Sequence, residues 1–283
     1  MFTLVSHPPR LQPALASTPY DRWVTPEGEV KAEFHRLPRG VLVRFPDEAD
    51  FAIDLAEGRV EGWPAPQTTP HHFESLYAHG VVPLIGNHFG GLFLHGSAVA
   101  INGMAVAFIG LSRSGKTTLA GALAKSGCPL LTEDVIELSP ASSRYLLSPK
   151  PSRLRLFADS AAYLLGRDVP AEEEGDKQSF DGGAALPFCI EPAPLARIFV
   201  LGTDAAADLA IAPLDRSAAL AALLPHAFVL DVEDRARLRA HFHRIAELAE
   251  RVACRALDYP RRYEELPKVM RAIVHEVGQH GDS

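Results

Sequence analysis

Apolar and polar positions begin to alternate at Val30 and continue to Trp63. Within that stretch Val41-Leu-Val-Arg-Phe45 and Phe51-Ala-Ile-Asp-Leu55 read as strands, followed by a turn at Glu57-Gly58. The thirty residues before them carry five prolines and little periodicity, which predicts a surface lead-in. Residues 1–69 are therefore expected to form a small, mainly β unit, with Pro64-Ala-Pro-Gln-Thr-Thr-Pro70 as a stiff connector out of it.

From His71 to about Phe89 the spacing becomes helical, with Phe73, Leu76, Tyr77 and Val81 as the apolar positions. Leu92-Phe-Leu-His95 and Ser97-Ala-Val-Ala-Ile101 return to strand patterns. Asn102-Gly103 then predicts a tight hairpin into a buried strand from Ala105 to Ile109. Thr117 to Lys125 reads as a helix ending at Gly127, and Pro129-Leu-Leu-Thr-Glu-Asp134 as a short apolar strand that finishes in two carboxylates. Strands are further expected at Tyr145-Leu-Leu147, Arg197-Ile-Phe-Val-Leu201, Asp208 to Pro213 and Cys254 to Leu257. Helices are expected up to Leu165, from Ser217 to Leu224, from Val232 to Ala253 with Leu238, Phe242, Ile245 and Leu248 inward, and from Leu266 to Val277. Residues 70–283 thus read as one α/β domain.

Composition narrows the class. With 283 residues, 47% hydrophobic and 22% charged, the chain can build one large core or two modest ones. A formal charge of -7 argues against a general nucleic-acid binder. The first ten residues lack the basic start and apolar centre of a signal peptide, so a cytoplasmic location is expected. No charged side chain occurs from Ser75 to Ser112, but Asn87, His88, Gly90, Gly91, His95, Asn102 and Gly103 interrupt every apolar run, which predicts the buried centre of a fold and no membrane span. Cys128, Cys189 and Cys254 form no C-x-x-C pair and suggest neither disulfides nor zinc. His71 and His72 have no third ligand nearby and read as an exposed helix start.

One stretch carries chemistry. Met104 to Thr118 runs from an apolar strand through Gly110-Leu-Ser-Arg-Ser-Gly-Lys-Thr117 into a helix, the G-x-x-x-x-G-K-[ST] spacing of a phosphate-binding loop. In such a loop the backbone of Gly110, Leu111, Ser112, Arg113, Ser114 and Gly115, with Lys116, Thr117 and Thr118 at the start of the helix, cradles the phosphates of a nucleotide such as ATP. Lys116 lies along the β- and γ-phosphates, and the Thr117 hydroxyl is positioned for Mg²⁺. Ligands in open α/β sheets gather beyond the carboxyl ends of strands, so Glu133-Asp134 are the nearest acidic candidates for metal and base, with Asp204 as a rival beyond a later strand. His95 ends a strand expected to neighbour the loop strand, although a lone histidine is more often a core residue. Arg153 and Arg155 alternate with apolar residues and should share a face, either towards phosphate and acceptor or towards solvent. The polar run from Ala171 to Gly183 is a candidate mobile loop.

The string Leu94-His95-Gly96-Ser97, then Gly110 to Thr117, then Leu130-Leu-Thr-Glu-Asp134 resembles the catalytic core of HPr kinase/phosphorylase. It is most similar to the shorter HPr-kinase-like proteins, some of which accompany peptide-maturation enzymes and phosphorylate the terminal serine of lasso-peptide precursors. The resemblance extends loosely through Arg153-Leu-Arg155, Asp176-Lys177 and the segment from Tyr259-Pro260 to Ile273. It implies a P-loop α/β core akin to phosphoenolpyruvate carboxykinase. It also implies catalytic roles for His95, Glu133, Asp134 and Lys116, with Glu133 as the base that activates the acceptor and Asp134, beside Thr117, facing the metal. Arg153, Arg155 and Lys177 become candidate substrate contacts. Glu133 stands where the family has aspartate, which leaves open which acid is the base. The family's E-[IV]-R-G-L-G-[IL] signature is absent from the sequence, so phosphorylase activity and a hexamer are not expected.

The expectation is an ATP- and Mg²⁺-dependent serine kinase acting on a peptide or small protein, with no nucleic-acid or membrane partner and with homo-oligomer formation left open. About a hundred residues precede the loop, room for a recognition unit. Two alternatives stand beside it: a kinase of small-molecule hydroxyls, and a nucleotide-binding sensor or assembly ATPase that transfers no phosphate.

Overall fold

A computed structural model describes residues 2–25, 27–142, 144–150, 154–166, 178–180 and 186–278, with the backbone alone at 154–155 and 178–180. They form a mixed α/β structure in two compact units, one of residues 1–88 with 229–235, the other of residues 89–228 with 236–283.

Among the described residues the first unit holds a six-stranded sheet: β1 (Thr3–Ser6), β2 (Asp21–Val24), β3 (Val30–Leu37), β4 (Gly40–Phe45), β5 (Ala49–Asp54) and β6 (Arg59–Pro64), in the order β1-β6-β5-β4-β3-β2. The expected lead-in therefore contributes both edges of this sheet. Each edge strand is four residues long, too short for a hydrophobic period to show, and each is fixed by backbone pairing, β1 parallel to β6 and β2 antiparallel to β3. The helical stretch beyond residue 69 belongs to this unit. It runs through α1 (Pro70–Leu76), a π-helical turn (Tyr77–Val81) and α2 (Val82–His88). Thr69 caps α1 by accepting from the His72 N–H, and Phe73 stacks on Phe51 of β5 at 5.0 Å. Residues 229–235 join the unit through Asp231, whose carboxylate takes two hydrogen bonds of 2.6 Å from Arg36.

The second unit opens with β7 (Leu92–His95), β8 (Ser97–Ile101) and β9 (Met104–Ile109). β8 and β9 form the expected hairpin, Ile101 opposite Met104, with φ of 51° at Asn102 and 76° at Gly103. There follow α3 (Lys116–Lys125), β10 (Leu130–Thr132), β11 (Val135–Ala141), β12 (Arg144–Ser148), β13 (Leu154–Leu156), α4 (Ala158–Leu165) and β14 (Gln178–Phe180). The chain closes with β15 (Ala193–Leu201), β16 (Ala210–Pro213), α5 (Arg216–Leu223), α6 (Arg235–Arg251), β17 (Ala253–Asp258) and α7 (Leu266–Gly278). β9, β15 and β17 run parallel, β8 is antiparallel to β9, and β10 is antiparallel to β8. β10 consequently points the same way as β9, and four strand ends meet along one edge. Alternate side chains fill two layers. Phe108 and Phe199 join Leu119, Leu123 and Ile273 from α3 and α7, while Ile109 and Ile198 join Leu223, Ile245 and Leu248 from α5 and α6.

Two expectations are corrected here. β7 pairs with β11, Val135 opposite His95, and the strand beside the loop strand is β8. On α6, Ile245 and Leu248 are buried as expected, but Phe242 is 44% exposed and His241 takes the inward place. A stripe through His241, Ile245, Leu248 and Val252 keeps the three-to-four spacing, and Phe242 lies a further hundred degrees or so round the helix. The three cysteines are free, and burial pushes the Cys254 thiol up to about 11. No described helix is long and apolar enough to cross a membrane. The expectations on Arg153, on Lys177 and on residues 171–177 and 181–183 of the candidate mobile loop fall outside the described residues, as does the side chain of Arg155, whose backbone lies in β13; residues 178–180 of that stretch form β14, paired with β13.

His241 makes the fold acid-sensitive. Burial, and then the charge of Arg244, lowers its pKa from 6.5 to about 4. Between those values the unfolded chain holds a proton that the folded chain does not, so stability is lost as pH falls from 6.5 towards 4. Urea midpoints between pH 7 and 4.5 should show a shallower loss for His241→Gln than for the parent, by up to one proton's worth, about 1.4 kcal/mol per pH unit. Parallel curves would show that His241 titrates alike in both states.

Candidate functional site

The strand–loop–helix unit expected from Met104 to Thr118 is formed, by β9, the loop after it and α3. Gly115 caps α3 with φ of 89°, a left-handed conformation that favours glycine, and turns the chain so that the first helical N–H groups point out of the loop. Lys116 is 7% exposed, and its Nζ donates to the carbonyls of Gly110 and Leu111, each at 2.8 Å. A buried ammonium is thus solvated by the loop it belongs to. The Thr118 and Ser160 hydroxyls lie 2.9 Å apart, tying α3 to the first turn of α4, and the Arg113 guanidinium lies 5.9 Å from the Phe157 ring.

The parallel direction of β10 brings the paired acids to the same edge. Glu133 is 1% exposed, and its Oε1 accepts from the Thr117 hydroxyl at 3.2 Å. Asp134 turns the chain with φ of 65°, and its carbonyl accepts from the Gly96 N–H at 3.1 Å, which brings it beside His95. Gly96 cannot carry a larger side chain there: a Cβ would lie 2.5 Å from the Phe108 carbonyl oxygen at the end of β9. His95, Glu133, Asp134, Lys116 and Thr117 are therefore gathered around one strand end. Asp204 lies in a turn of φ 65° beyond β15, with its Oδ1 accepting from the Arg261 N–H.

Hard carboxylate and hydroxyl oxygens facing each other at a helix N-terminus suit Mg²⁺ shared with phosphate and water. Thr117, Glu133 and Asp134 are the residues able to hold it. Among the described residues no cluster of three or more His, Cys, Asp or Glu forms a metal site by itself.

Two residues at this edge escaped the sequence reading. Arg261, just beyond β17, donates from Nε to the Ser114 carbonyl at 3.0 Å, from Nη1 to the Tyr259 carbonyl at 2.6 Å and from Nη2 to the Gly202 carbonyl at 2.8 Å. One guanidinium so joins the loop before α3 to the ends of β15 and β17, lying 4.0 Å from the Tyr259 ring as it does so. Burial raises the Tyr259 phenol to about 12, so it stays protonated. The other residue is His226, whose imidazole burial, His95 and Lys116 together push down to about 4. No local pattern marks either residue, because Ser114 and Gly202, which Arg261 joins, and the β7 end that His226 approaches lie far away along the chain.

No family model and no curated protein matches this chain. Among solved structures it is similar to the Hpr(Ser) kinase/phosphatase from Coxiella burnetii, at 13% identity and a TM-score of 0.36, over 67% of this chain and 99% of that one. So loose a likeness says nothing about chemistry, which rests on the side chains described above.

Removing the Arg261 guanidinium should loosen the phosphate loop while leaving both hydrophobic layers intact. Arg261→Ala is expected to lower unfolding stability by about 2 kcal/mol, because several carbonyls lose a charged donor, and to speed amide exchange across residues 110–116. Lys at 261 keeps the charge but not the fork, so it should recover little. Exchange rates equal to the parent's would show that the loop holds its shape without Arg261.

Proposed function

We propose that this protein is a phosphotransferase that moves the γ-phosphoryl group of ATP, with Mg²⁺, to a serine hydroxyl of a peptide or small protein. The observation that carries this is Lys116 folded over the Gly110 and Leu111 carbonyls at the mouth of α3, one residue from the Thr117–Glu133 contact. Phosphoryl transfer asks little covalent chemistry of a protein. It needs charge compensation along the phosphates, an oriented acceptor and a place for the acceptor's proton. Loop amides and the start of α3 supply fixed donors, and Lys116 exchanges its two carbonyls for phosphate oxygens. Bound Mg²⁺ would supply charge neutralisation on the β- and γ-phosphates.

In the transfer, the acceptor oxygen forms a bond to the γ-phosphorus while the bond to the β–γ bridging oxygen breaks. ADP leaves, and the acceptor's proton passes to a carboxylate. The sequence resemblance implies Glu133 for that proton. The Thr117 contact favours the opposite division, with Glu133 on the metal side and Asp134, held beside His95 by the Gly96 N–H, on the acceptor side. His95 then orients the accepting acid.

Incubation with γ-labelled ATP tests the activity. Label on the serine of a peptide, with the terminal serine of a lasso-peptide precursor as one acceptor arm, supports the proposal. Label on a small hydroxyl compound moves it to small-molecule kinases, and no transfer despite tight ATP binding leaves a nucleotide sensor.

Lys116→Ala should lower kcat by about 10³-fold, since the transferred charge loses its side-chain donor. Glu133→Gln should raise the Mg²⁺ concentration needed for half-maximal rate, with partial rescue by excess Mg²⁺. Asp134→Asn should lower kcat by about 10²- to 10⁴-fold at an unchanged Mg²⁺ requirement. A Mg²⁺ defect confined to Asp134→Asn would restore the division that the resemblance implies.

A further inference from the structure

The turn after α5 carries a histidine into the site for which phosphoryl transfer, as described, has no use. Leu224–His226 form a 3₁₀ turn, Ala227 makes an antiparallel bridge to Leu94, and the Phe228 ring stands edge-on to the His95 ring at 6.5 Å. The bridge fixes His226 alongside the end of β7, the strand whose last residue is His95. His226 is only partly buried, and it lies near enough to Lys116 and His95 to feel both charges. The bridge therefore brings His226 beside His95 at the end of β7, and Lys116 at the start of α3 lies within electrostatic reach of it. Each is able to donate to an anion.

Their relative positions suggest which anion. On the phosphoryl-transfer reading, Lys116, which belongs to the loop, would reach the phosphates from the nucleotide side, and His95, whose neighbour Gly96 bonds to the Asp134 carbonyl, would stand on the acceptor side. A group close to both faces the place between nucleotide and acceptor. On that reading a triphosphate would extend its last phosphate into that place, and a diphosphate would stop before it. The imidazole is neutral near pH 7, with its pKa lowered to about 4, so the free site does not have to bear another buried charge beside Lys116. A neutral ring still offers one N–H to a phosphate oxygen.

We infer that His226 is a contact for the terminal phosphate of bound nucleoside triphosphate and so helps the site to distinguish triphosphate from diphosphate, an inference that rests on the phosphoryl-transfer reading. The test is calorimetric binding of a non-hydrolysable ATP analogue and of ADP, both with excess Mg²⁺, to the parent and to His226→Ala. The variant should bind the analogue about tenfold or more weakly, the loss of one hydrogen bond to a charged group, with its ADP affinity within twofold of the parent's. If His226→Ala also loses ADP through a disturbed fold, His226→Leu, which fills the space without a donor, supplies the same comparison. Equal weakening towards both nucleotides, or unchanged affinity for the analogue, would overturn the assignment. A parent that binds neither nucleotide would overturn the phosphoryl-transfer reading itself, and the assignment with it.

Discussion

A buried ammonium must be solvated by something, and in this chain the site is built around how Lys116 meets that need. Its Nζ takes the Gly110 and Leu111 carbonyls as partners, which requires the loop to curl back over the first turn of α3. That curl needs the left-handed Gly115, and its far side is held by the Arg261 guanidinium on the Ser114 carbonyl. Carbonyl partners are interchangeable with phosphate oxygens, and a charge-assisted contact to phosphate is the stronger of the two. On the phosphoryl-transfer reading, the folded loop is thus arranged in advance for an anion.

The rest of the second unit brings other groups to that loop. Parallel β9, β15 and β17, with β10 running the same way, set the loop, Glu133-Asp134, the Gly202 turn and Arg261 along one edge. The hydrophobic layers on either side of the sheet make this arrangement stiff. Phe108 and Ile109, adjacent in β9, anchor opposite layers immediately before the loop begins. Gly96 lets the β7–β8 corner press against the Phe108 carbonyl, and through that close approach Asp134 and His95 reach the same place.

What could be read from sequence follows the range of the forces involved. The glycine-framed loop between β9 and α3, the Asn102-Gly103 hairpin and the acids after β10 depend on residues within a few positions of each other, so local pattern exposed them. β1 and β2 depend on partners tens of residues away or on a single edge pairing, and their four residues carry too little period to announce a strand. The α6 stripe misled because phenylalanine is normally the buried residue and histidine the exposed one. The pairing of β7 with β11, the Arg261 fork and the approach of His226 are set by topology, and no local signal precedes them. The strand–loop–helix unit and the position of the paired acids after β10 were legible, and the Arg261 fork and the placement of His226 were not.

Amide hydrogen exchange across residues 110–118, with and without Mg²⁺ and a non-hydrolysable ATP analogue, tests most directly whether this loop receives phosphate. The N–H groups from Ser112 to Thr118 should become strongly protected on binding, with slower exchange also at residues 133–135, while the sheet of residues 30–64 stays unchanged. Exchange in 110–118 that does not respond to saturating nucleotide would contradict the phosphate-binding role on which the whole account depends.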